Sequence, residues 1–529
     1  MTAGAGVTVT DPVAPRSRRA EWLLALLLTA GGVVVAAFAM APDLDGPWQR
    51  GWKAHNGGRY ALIARNYARW GFTHAGGAPL MDMAPAAGQP LPTDGAEPYA
   101  HHPPGVMMVT GLLFRLLGPS EHLARLLSYV ATLASLVVLA LLVGTVSTPL
   151  AGGAAALLCG ATPMTVVFGT HVEVQGPLVL LCGLTTLLAY ARLLKGGPRP
   201  TTLMAWMVAL AAASWFDWFG LYYGAGCAAH ALLTRRGFRL WALLGGWVAV
   251  LFGGWLAWLS NLPGMSWRRV LGAAGVRVDG GVGALEGAIG QALGPWFASS
   301  MDLLPLWPLL LGVLCFTALR PGSTLSGPAP GLGVRWLLLL LLAPPLVHCL
   351  LFPAGMLLHS YWLFALPPAL ASGLALGLSR LRPGVCLAAV VLGAVGLLSP
   401  LDQAAEERDI LPAMVGQALG QHTAPGDGVL TNFEVNVLWD GMKVGEYIVS
   451  RPEISYYADR AVRGGIRGDG QGRAVDLEQA LQLLPSARWF VLWPDPDDPG
   501  LPRALDALGG PPPLLLGGEP KVLLYRLRP

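Results

Sequence analysis

Apolar runs of about 20 residues alternate with shorter polar segments over the first 400 positions of the chain. Such a run is long enough to cross the hydrocarbon core of a bilayer as an α-helix, because each residue adds about 1.5 Å. The pattern predicts about eleven transmembrane helices at this length. They lie near 22–41, 123–145, 151–169, 177–194, 202–216, 218–234, 240–261, 302–319, 336–353, 361–379 and 384–400. The 202–234 region can also be divided differently, because Asp217 lies in its middle.

Two further segments have helical spacing but are unsuited to crossing a membrane. Residues 104–118 are short and contain Arg115, so we predict a helix that lies along the membrane surface. In the segment 55–71, apolar residues recur at helical spacing after Gly57-Gly58, which predicts a Gly-Gly turn followed by a short amphipathic helix. Both belong to a large polar loop, 43–122, after the first apolar run.

The pattern changes at residue 401, beyond which charged residues are frequent and apolar runs are short. Segments 428–431, 488–492 and 521–525 read as strands, and 476–484 and 502–508 as helices. Alternating strands and helices predict a small α/β domain over 401–529. The predicted organisation is therefore a disordered N-terminus, 1–20, a transmembrane domain, 21–400, and the C-terminal domain.

Composition agrees with a polytopic membrane protein. Hydrophobic residues make up 54% of the 529 residues and charged residues 12%, against about 25% charged residues in soluble domains; mean hydropathy is +0.53. The net charge of +4 is small, so no nucleic-acid partner is expected. The six cysteines all fall in apolar runs, which favours neither disulfides nor a cysteine metal site. Basic residues are mostly Arg, and Ala, Gly and Pro are abundant, which is typical of a GC-rich bacterial genome.

The distribution of basic residues predicts the orientation. Arg16, Arg18 and Arg19 place the N-terminus in the cytoplasm by the positive-inside rule. If the runs alternate, one side carries most of the other arginines and lysines near the membrane: Arg192, Lys195, Arg199, Arg235, Arg236, Arg239, Arg320, Arg335, Arg380 and Arg382. The other side receives the loop 43–122, segments 171–175, 216–218, 262–301 and 359–362, and the C-terminal domain. We therefore expect a multi-pass protein of the bacterial inner membrane with its C-terminal domain outside the cytoplasm.

Candidate chemistry gathers on that outer side. Acids at the end of a membrane helix are costly unless they are paired or functional, which singles out Glu173 and Asp217. Asp43 and Asp45 follow the first run, where an acid can also be merely solvated. His101 and His102 could ligate a divalent metal, although adjacent histidines point in different directions and a metal needs further ligands. The metal therefore stays an alternative, and no cofactor is specified.

The order of motifs after the first run resembles a known group of enzymes. The matching residues are Gly58-Arg59-Tyr60, Ile63-Ala64-Arg65, His102-Pro103-Pro104, Leu116-Leu117-Gly118 and Ser120-Glu121-His122-Leu123-Ala124-Arg125-Leu126. Over roughly residues 20–195, this order is similar to the GT-C membrane glycosyltransferases, specifically family 39, the protein O-mannosyltransferases, and the aminoarabinose lipid A transferases. Beyond that range the resemblance is one of hydropathy and of the outer C-terminal tail.

The resemblance implies a glycosyltransferase that moves a hexose or pentose from a polyprenyl-phosphate carrier to a protein, lipid or glycan outside the cytoplasm, with inversion at the anomeric carbon. Its implied partners are this donor and membrane lipids, and the oligomeric state is left open. Arginines would hold the donor phosphate, and a carboxylate would deprotonate the acceptor hydroxyl. The residues predicted to bind substrate are Asn56, Arg59, Tyr60, Arg65, His101, His102, Asp217, Arg268, Arg269, His359 and Tyr361.

One position departs from the family pattern. The group places an acid at the start of its first outer turn, where this chain has Asn56, and an amide cannot act as a base. Asp43 or Asp45 could supply the carboxylate, or Glu173 could, since it matches the acidic position of the group's second outer loop. Otherwise the chain is a catalytically altered scaffold. A transporter or flippase of lipid-linked sugars is the other alternative, although the sequence has no internal repeat and its charges lie at the helix ends.

Overall fold

The computed structural model is mostly helical and has a small C-terminal sheet. It describes residues 18–48, 52–81, 99, 102–262, 332–352, 360–379, 383–398, 411–424, 427–432, 449–450, 452–459, 462–464, 487–493, 505, 513–515 and 522–527. The predicted run 302–319, the predicted helices 476–484 and 502–508, and residues 1–17 lie outside these ranges.

Within the described ranges, five helices are long and apolar enough to cross a membrane. They are α1 (Arg18–Met40), α4 (Glu121–Val146), α7 (Pro177–Gly196), α10 (Phe238–Ser260) and α11 (Val334–Leu351). Each corresponds to a predicted run. Shorter helices accompany them: α2 (Trp52–Trp70), α3 (Gly105–Leu117), α5 (Pro149–Gly160), α6 (Pro163–Phe168), α8 (Pro200–Phe216), α9 (Gly220–Leu233), α12 (Pro367–Leu378) and α13 (Pro383–Leu398).

Two predicted runs are interrupted where proline allows a new helix to begin. The run 151–169 is divided between α5 and α6, because Thr162 caps the start of α6 and Pro163 occupies its first position. The Thr162 hydroxyl accepts a hydrogen bond from the Thr165 amide at 3.3 Å. The run 361–379 begins as a 3-10 helix, Ser360–Ala365, and becomes α-helical at Pro367. Hydropathy alone does not reveal such breaks, because the residues on both sides are equally apolar.

The predicted Gly-Gly turn before the amphipathic helix was wrong. Gly57 and Gly58 lie inside α2, which runs without interruption from Trp52 to Trp70. Glycine is unfavourable within a helix by about 1 kcal/mol, and a packing contact explains Gly57. The indole of Trp48 lies against it, so that a Cβ at this position would collide with the ring.

The membrane part is held together by close helix contacts. Helices α1 and α5 pack at glycine positions, where a Cβ on Gly153 would lie 2.5 Å from the Ala25 carbonyl oxygen and one on Gly32 would lie 2.7 Å from that of Ala156. In lipid, such small residues let helix backbones approach because packing, rather than water exclusion, drives association. In the same buried core, α4 packs against α7 and α5, and α7 also packs against α8.

The described residues between 411 and 527, here called the C-terminal module, include a six-stranded mixed sheet with the order β2-β3-β1-β4-β6-β5. The strands are β1 (Gly428–Thr431), β2 (Val449–Ser450), β3 (Val462–Gly464), β4 (Ala487–Leu492), β5 (Leu514–Leu515) and β6 (Leu523–Arg526). The central strand β1 is parallel to β3 and β4, and the other pairings are antiparallel. The three predicted strands correspond to β1, β4 and β6.

Alternation along the strands covers both faces of this sheet. Val429 packs with helices α14 (Leu411–His422) and α15 (Pro452–Ala458), whereas its neighbour Leu430 packs on the opposite face with Phe490. Successive side chains of a strand point to opposite faces, so the apolar run of each central strand is buried on both sides.

Candidate functional site

Four polar segments that are distant in sequence converge on one buried cluster. The first half of α2 supplies Asn56, Arg59 and Tyr60, and Tyr99 and His102 precede α3. The segment 169–176 joins α6 to α7, and the turn 217–219 joins α8 to α9. Most of these side chains are buried, so their polar groups need hydrogen-bond partners within the protein.

Glu173 occupies the centre of the cluster. The neighbouring Val172 and Val174 side chains are buried in an apolar cluster with Tyr60, which fixes the segment, and the Glu173 residue itself is only 3% exposed. Asn56 Nδ2 donates to Glu173 Oε2 at 2.6 Å, and the Tyr60 hydroxyl donates to Oε1 at 2.7 Å. The Val174 amide donates to Oε1 at 2.8 Å. Three donors thus hold both oxygens of one buried carboxyl.

This environment raises the pKa of Glu173 to about 7. Burial is the largest cause, because it disfavours the charged carboxylate. The hydrogen bonds from Tyr60 and the Val174 amide oppose the rise, and the negative charge of Asp217 adds to it. A carboxyl with this pKa exchanges a proton near neutral pH, which is the property expected of a general base.

Helix geometry brings the α2 side chains to one face. Residues three and four apart are neighbours on a helix, so Asn56, Arg59 and Tyr60 lie together, and His55 lies beside Arg59. The Arg59 guanidinium contacts His55 Nε2, and it lies 5.4 Å from the centre of the Tyr99 ring. The Tyr60 and Tyr99 hydroxyls are 2.9 Å apart. The face therefore presents a guanidinium next to the hydrogen-bond donors that hold Glu173.

A histidine–aspartate pair adjoins the carboxyl. His102 Nδ1 lies 2.5 Å from Asp217 Oδ2, and the Phe219 amide donates to Asp217 Oδ1 at 2.6 Å. The His102 ring is stacked between Tyr99, at 5.8 Å, and Trp218, at 6.3 Å. Asp217 is fully buried. The carboxylate and the two rings thus fix the orientation of the imidazole.

Sequence reasoning missed several residues of this region. The Nε2 atom of His348, in α11, lies 3.1 Å from Gln175 Nε2. The centre of the His348 ring lies 5.3 Å from that of Trp218 and 4.4 Å from that of Trp362. His55 and Tyr99 are further members. A single histidine in the apolar run of α11 was the signal for His348, since such a residue requires a partner within the membrane.

Other predicted residues lie elsewhere. Asp45 is at the surface with an 81% exposed side chain, 2.8 Å from His122 Nδ1, and Asp43 ends the 3-10 helix Ala41–Asp43. Arg65 faces the C-terminal module. Tyr361 belongs to the 3-10 helix Ser360–Ala365. The remaining predicted positions, His101, Arg268, Arg269 and His359, lie outside the described residues. Across the described ranges, no group of three or more His, Cys, Asp or Glu side chains has the arrangement of a metal site.

Comparison with known proteins gives fold similarity at low sequence identity. No protein-family model matches the chain, and no curated protein matches it. The structure of ArnT from Cupriavidus metallidurans bound to undecaprenyl phosphate is similar, with a TM-score of 0.58 and 15% identity over 95% of this chain and 99% of that one. The Archaeoglobus fulgidus oligosaccharyltransferase in its apo form gives a TM-score of 0.53 and 11% identity over 88% of this chain and 69% of that one.

The same archaeal enzyme, AglB, in complex with an inhibitory peptide and a dolichol-phosphate gives a TM-score of 0.50 and 12% identity over 88% of this chain and 69% of the other. ArnT, an aminoarabinose transferase, and AglB are both glycosyltransferases of the GT-C fold. The chain therefore has the GT-C fold of a polytopic membrane protein, which confirms the resemblance recognised in its sequence at the level of the fold.

Proposed function

We propose that this protein is an inverting membrane glycosyltransferase that moves a sugar from a polyprenyl-phosphate carrier to a hydroxyl acceptor. The observation that carries the proposal is the buried Glu173 carboxyl, which is held by Asn56 and Tyr60 and has a pKa near 7. Support for the donor class comes from the fold neighbours, one bound to undecaprenyl phosphate and another to a dolichol-phosphate. The sugar is a hexose or pentose, and the acceptor is a protein, lipid or glycan.

In the proposed reaction, Glu173 takes the proton of the acceptor hydroxyl, and the acceptor oxygen attacks the anomeric carbon. The bond between that carbon and the phosphate oxygen breaks on the opposite face, so configuration inverts and polyprenyl phosphate leaves with the electron pair. The Arg59 guanidinium, adjacent to Tyr99, is the cation of the cluster suited to the phosphate. His102, oriented by Asp217, contributes a further polar group for the substrate.

Glu173 is a better candidate base than the two acids after the first helix. Asp45 is exposed and paired with His122, so its carboxylate lies in water rather than in a buried site. Asn56, which replaces the acid expected from the family pattern, donates to Glu173. We propose that the amide orients this carboxylate in place of a second acid, whose negative charge would oppose ionisation of Glu173.

We further propose that the site opens on the outer face of a bacterial inner membrane, with the N-terminus in the cytoplasm. The support is the positive-inside distribution. Arg192 and Lys195 lie near the end of α7 and Arg199 follows it, whereas Glu173 precedes the start of the same helix. A lipid-linked donor stays in the bilayer, so a site at the helix ends can receive its sugar while the chain remains in lipid.

The decisive experiment uses the purified full-length protein in liposomes. Synthetic undecaprenyl phosphates that carry mannose, glucose, galactose or aminoarabinose are supplied with envelope lipids and a serine-rich peptide, and release of undecaprenyl phosphate is measured by mass spectrometry. We expect release with one of these donors and its loss in Glu173→Gln. Binding of undecaprenyl phosphate without any turnover would indicate the scaffold, and movement of the intact donor between leaflets would indicate the flippase.

A further inference from the structure

The C-terminal module contacts α2 through the end of α15. Asp459, which follows this helix, has a left-handed backbone conformation with φ of 54°, and its amide donates to the Ser455 carbonyl at 3.1 Å. Its carboxylate accepts from both terminal nitrogens of Arg69, at 2.7 and 3.1 Å, and lies 3.3 Å from Arg65 Nη2. Two arginines of α2 thus share one carboxylate of the C-terminal module.

Arg65 is the buried member of this contact. Its Nη1 donates to the Tyr456 carbonyl oxygen at 2.6 Å, and its guanidinium lies 5.0 Å from the centre of the Tyr456 ring. Burial lowers the pKa of Arg65 only to about 10, so the group stays charged at neutral pH. Removing a partner from a buried charge is costly, so α2 and α15 are held at a defined position.

A second contact runs through Tyr457. Its hydroxyl donates to Glu121 Oε1 at 2.6 Å and accepts from the Trp48 amide at 2.6 Å. Glu121 is the first residue of the membrane helix α4. One hydroxyl of the C-terminal module therefore joins the start of α4 to the segment that follows α1.

Trp48 carries this contact to the candidate base. Its ring is buried, packed between the Arg125 guanidinium, 4.2 Å from the ring centre, and the backbone of α2 at Gly57. Gly57 is next to Asn56, which donates to Glu173. A continuous series of contacts thus runs from Tyr457 through Trp48 and Gly57 to Glu173.

We infer that Tyr457 and Asp459 are positioning residues, which hold α2 where Asn56 and Tyr60 meet Glu173. Both act through other groups: Tyr457 through Trp48, and Asp459 through Arg65 and Arg69. The catalytic consequence rests on the proposed function, whereas the positioning of α2 does not. The donors that orient the Glu173 carboxyl, Asn56 and Tyr60, both belong to α2, so the position of this helix affects the geometry of the site. A displacement of about 1 Å costs on the order of a hundredfold in rate.

Hydrogen–deuterium exchange on the full-length protein in detergent tests the positioning directly. Tyr457→Phe removes one hydroxyl and keeps the ring, and Asp459→Asn removes the charge while Asn tolerates the left-handed backbone. We expect faster exchange in peptides from 55–70 in both variants. Tyr456→Phe is the matched control, since that hydroxyl makes no hydrogen bond to a described residue, and it should leave exchange unchanged.

Turnover of the undecaprenyl-phosphate sugar that wild type accepts provides the second readout. We expect kcat to fall by about tenfold to a hundredfold in Tyr457→Phe and Asp459→Asn, with KM for the donor changed less. The acidic limb of the rate should also move to higher pH, because a displaced Tyr60 no longer stabilises the Glu173 carboxylate. Purely structural loosening would reduce the amount of folded protein and leave this limb in place.

Each result decides the inference. Unchanged exchange over 55–70 in both variants would overturn the positioning of α2, and faster exchange with wild-type kcat and pH dependence would overturn its catalytic consequence. A wild-type protein without turnover would instead refute the proposed function, and exchange alone would then decide whether Tyr457 and Asp459 position α2.

Discussion

At the scale of single residues, the role proposed for Glu173 as the base predicts a pH dependence of sugar transfer. Only the ionised carboxylate accepts a proton, and burial raises its pKa to about 7. The rate of sugar transfer should therefore be low in acid and rise with pH, with a midpoint near 7. A pH profile of undecaprenyl phosphate release at saturating donor measures this midpoint. A midpoint near 4.5, the ordinary value of a glutamate, would exclude Glu173 as the base.

Tyr60 and Asp217, two neighbours of Glu173, should affect this midpoint in opposite directions when they are substituted. Tyr60→Phe removes a hydrogen bond that favours the carboxylate, so the midpoint should rise. Tyr67→Phe is its control on the same helix, because that hydroxyl donates to the Gly77 carbonyl, and it should keep the wild-type midpoint. The same pH profiles decide both variants.

Asp217→Asn should lower the midpoint, because it removes a negative charge that raises the pKa of Glu173. It should also reduce the maximal rate by about tenfold or more, since His102 loses the carboxylate that orients it. Asp427→Asn, in the C-terminal module, is a control for the loss of a carboxylate distant from this cluster. An Asp217→Asn enzyme with a raised midpoint would contradict the electrostatic coupling between the two acids.

The sequence singled out the candidate residues but not their partners. Glu173 and Asp217 were recognisable because acids at the ends of apolar runs are costly. Glu173 accepts hydrogen bonds from Asn56, 117 positions away, and from Tyr60, 113 positions away. These contacts depend on how the helices pack, which the local spacing of residues does not encode. The structure brings these residues together with Arg59, and their roles stay predictions.

At the scale of elements, the length of an apolar run predicted helices well and their interruptions poorly. Each run within the described ranges contains a helix, but Pro163 and Pro367 start new ones inside two of the runs. Gly57-Gly58 suggested a turn because glycine is unfavourable in a helix. Both residues lie in α2, where the Trp48 ring leaves no room for a side chain at Gly57. A contact of this kind is visible only in three dimensions.

The glycine contact between α1 and α5 gives a prediction for stability. Gly153→Ala places a methyl group against the Ala25 carbonyl oxygen, 2.5 Å away, so the helices must separate. Overpacking of this kind costs about 1–3 kcal/mol, and thermal unfolding in detergent should show a lower midpoint. Gly254→Ala in α10 is the matched control, because its methyl group meets open space and should be neutral or stabilising. Equal unfolding midpoints for the two variants would refute the close approach of α1 and α5.

At the scale of the whole molecule, the predicted orientation determines which compartment the site serves. Arg239 lies in the first turn of α10, on the side predicted to be cytoplasmic, and Arg488 is exposed on β4 of the C-terminal module. In a variant without native cysteines, Arg488→Cys should react in intact spheroplasts with a maleimide that does not cross membranes. Arg239→Cys should react only after permeabilisation.

This labelling pattern follows from the positive-inside rule, since short loops rich in arginine stay in the cytoplasm. It also follows from the proposed chemistry, because α15 of the same module contacts α2, which binds Glu173 through Asn56. The module and the site must therefore face one compartment. The reverse labelling pattern would place both in the cytoplasm, where soluble nucleotide-linked sugars are available and a transferase has no need of a lipid-linked donor. It would thus argue against the proposed donor as well as the orientation, whereas the expected pattern leaves donor identity to the turnover assay.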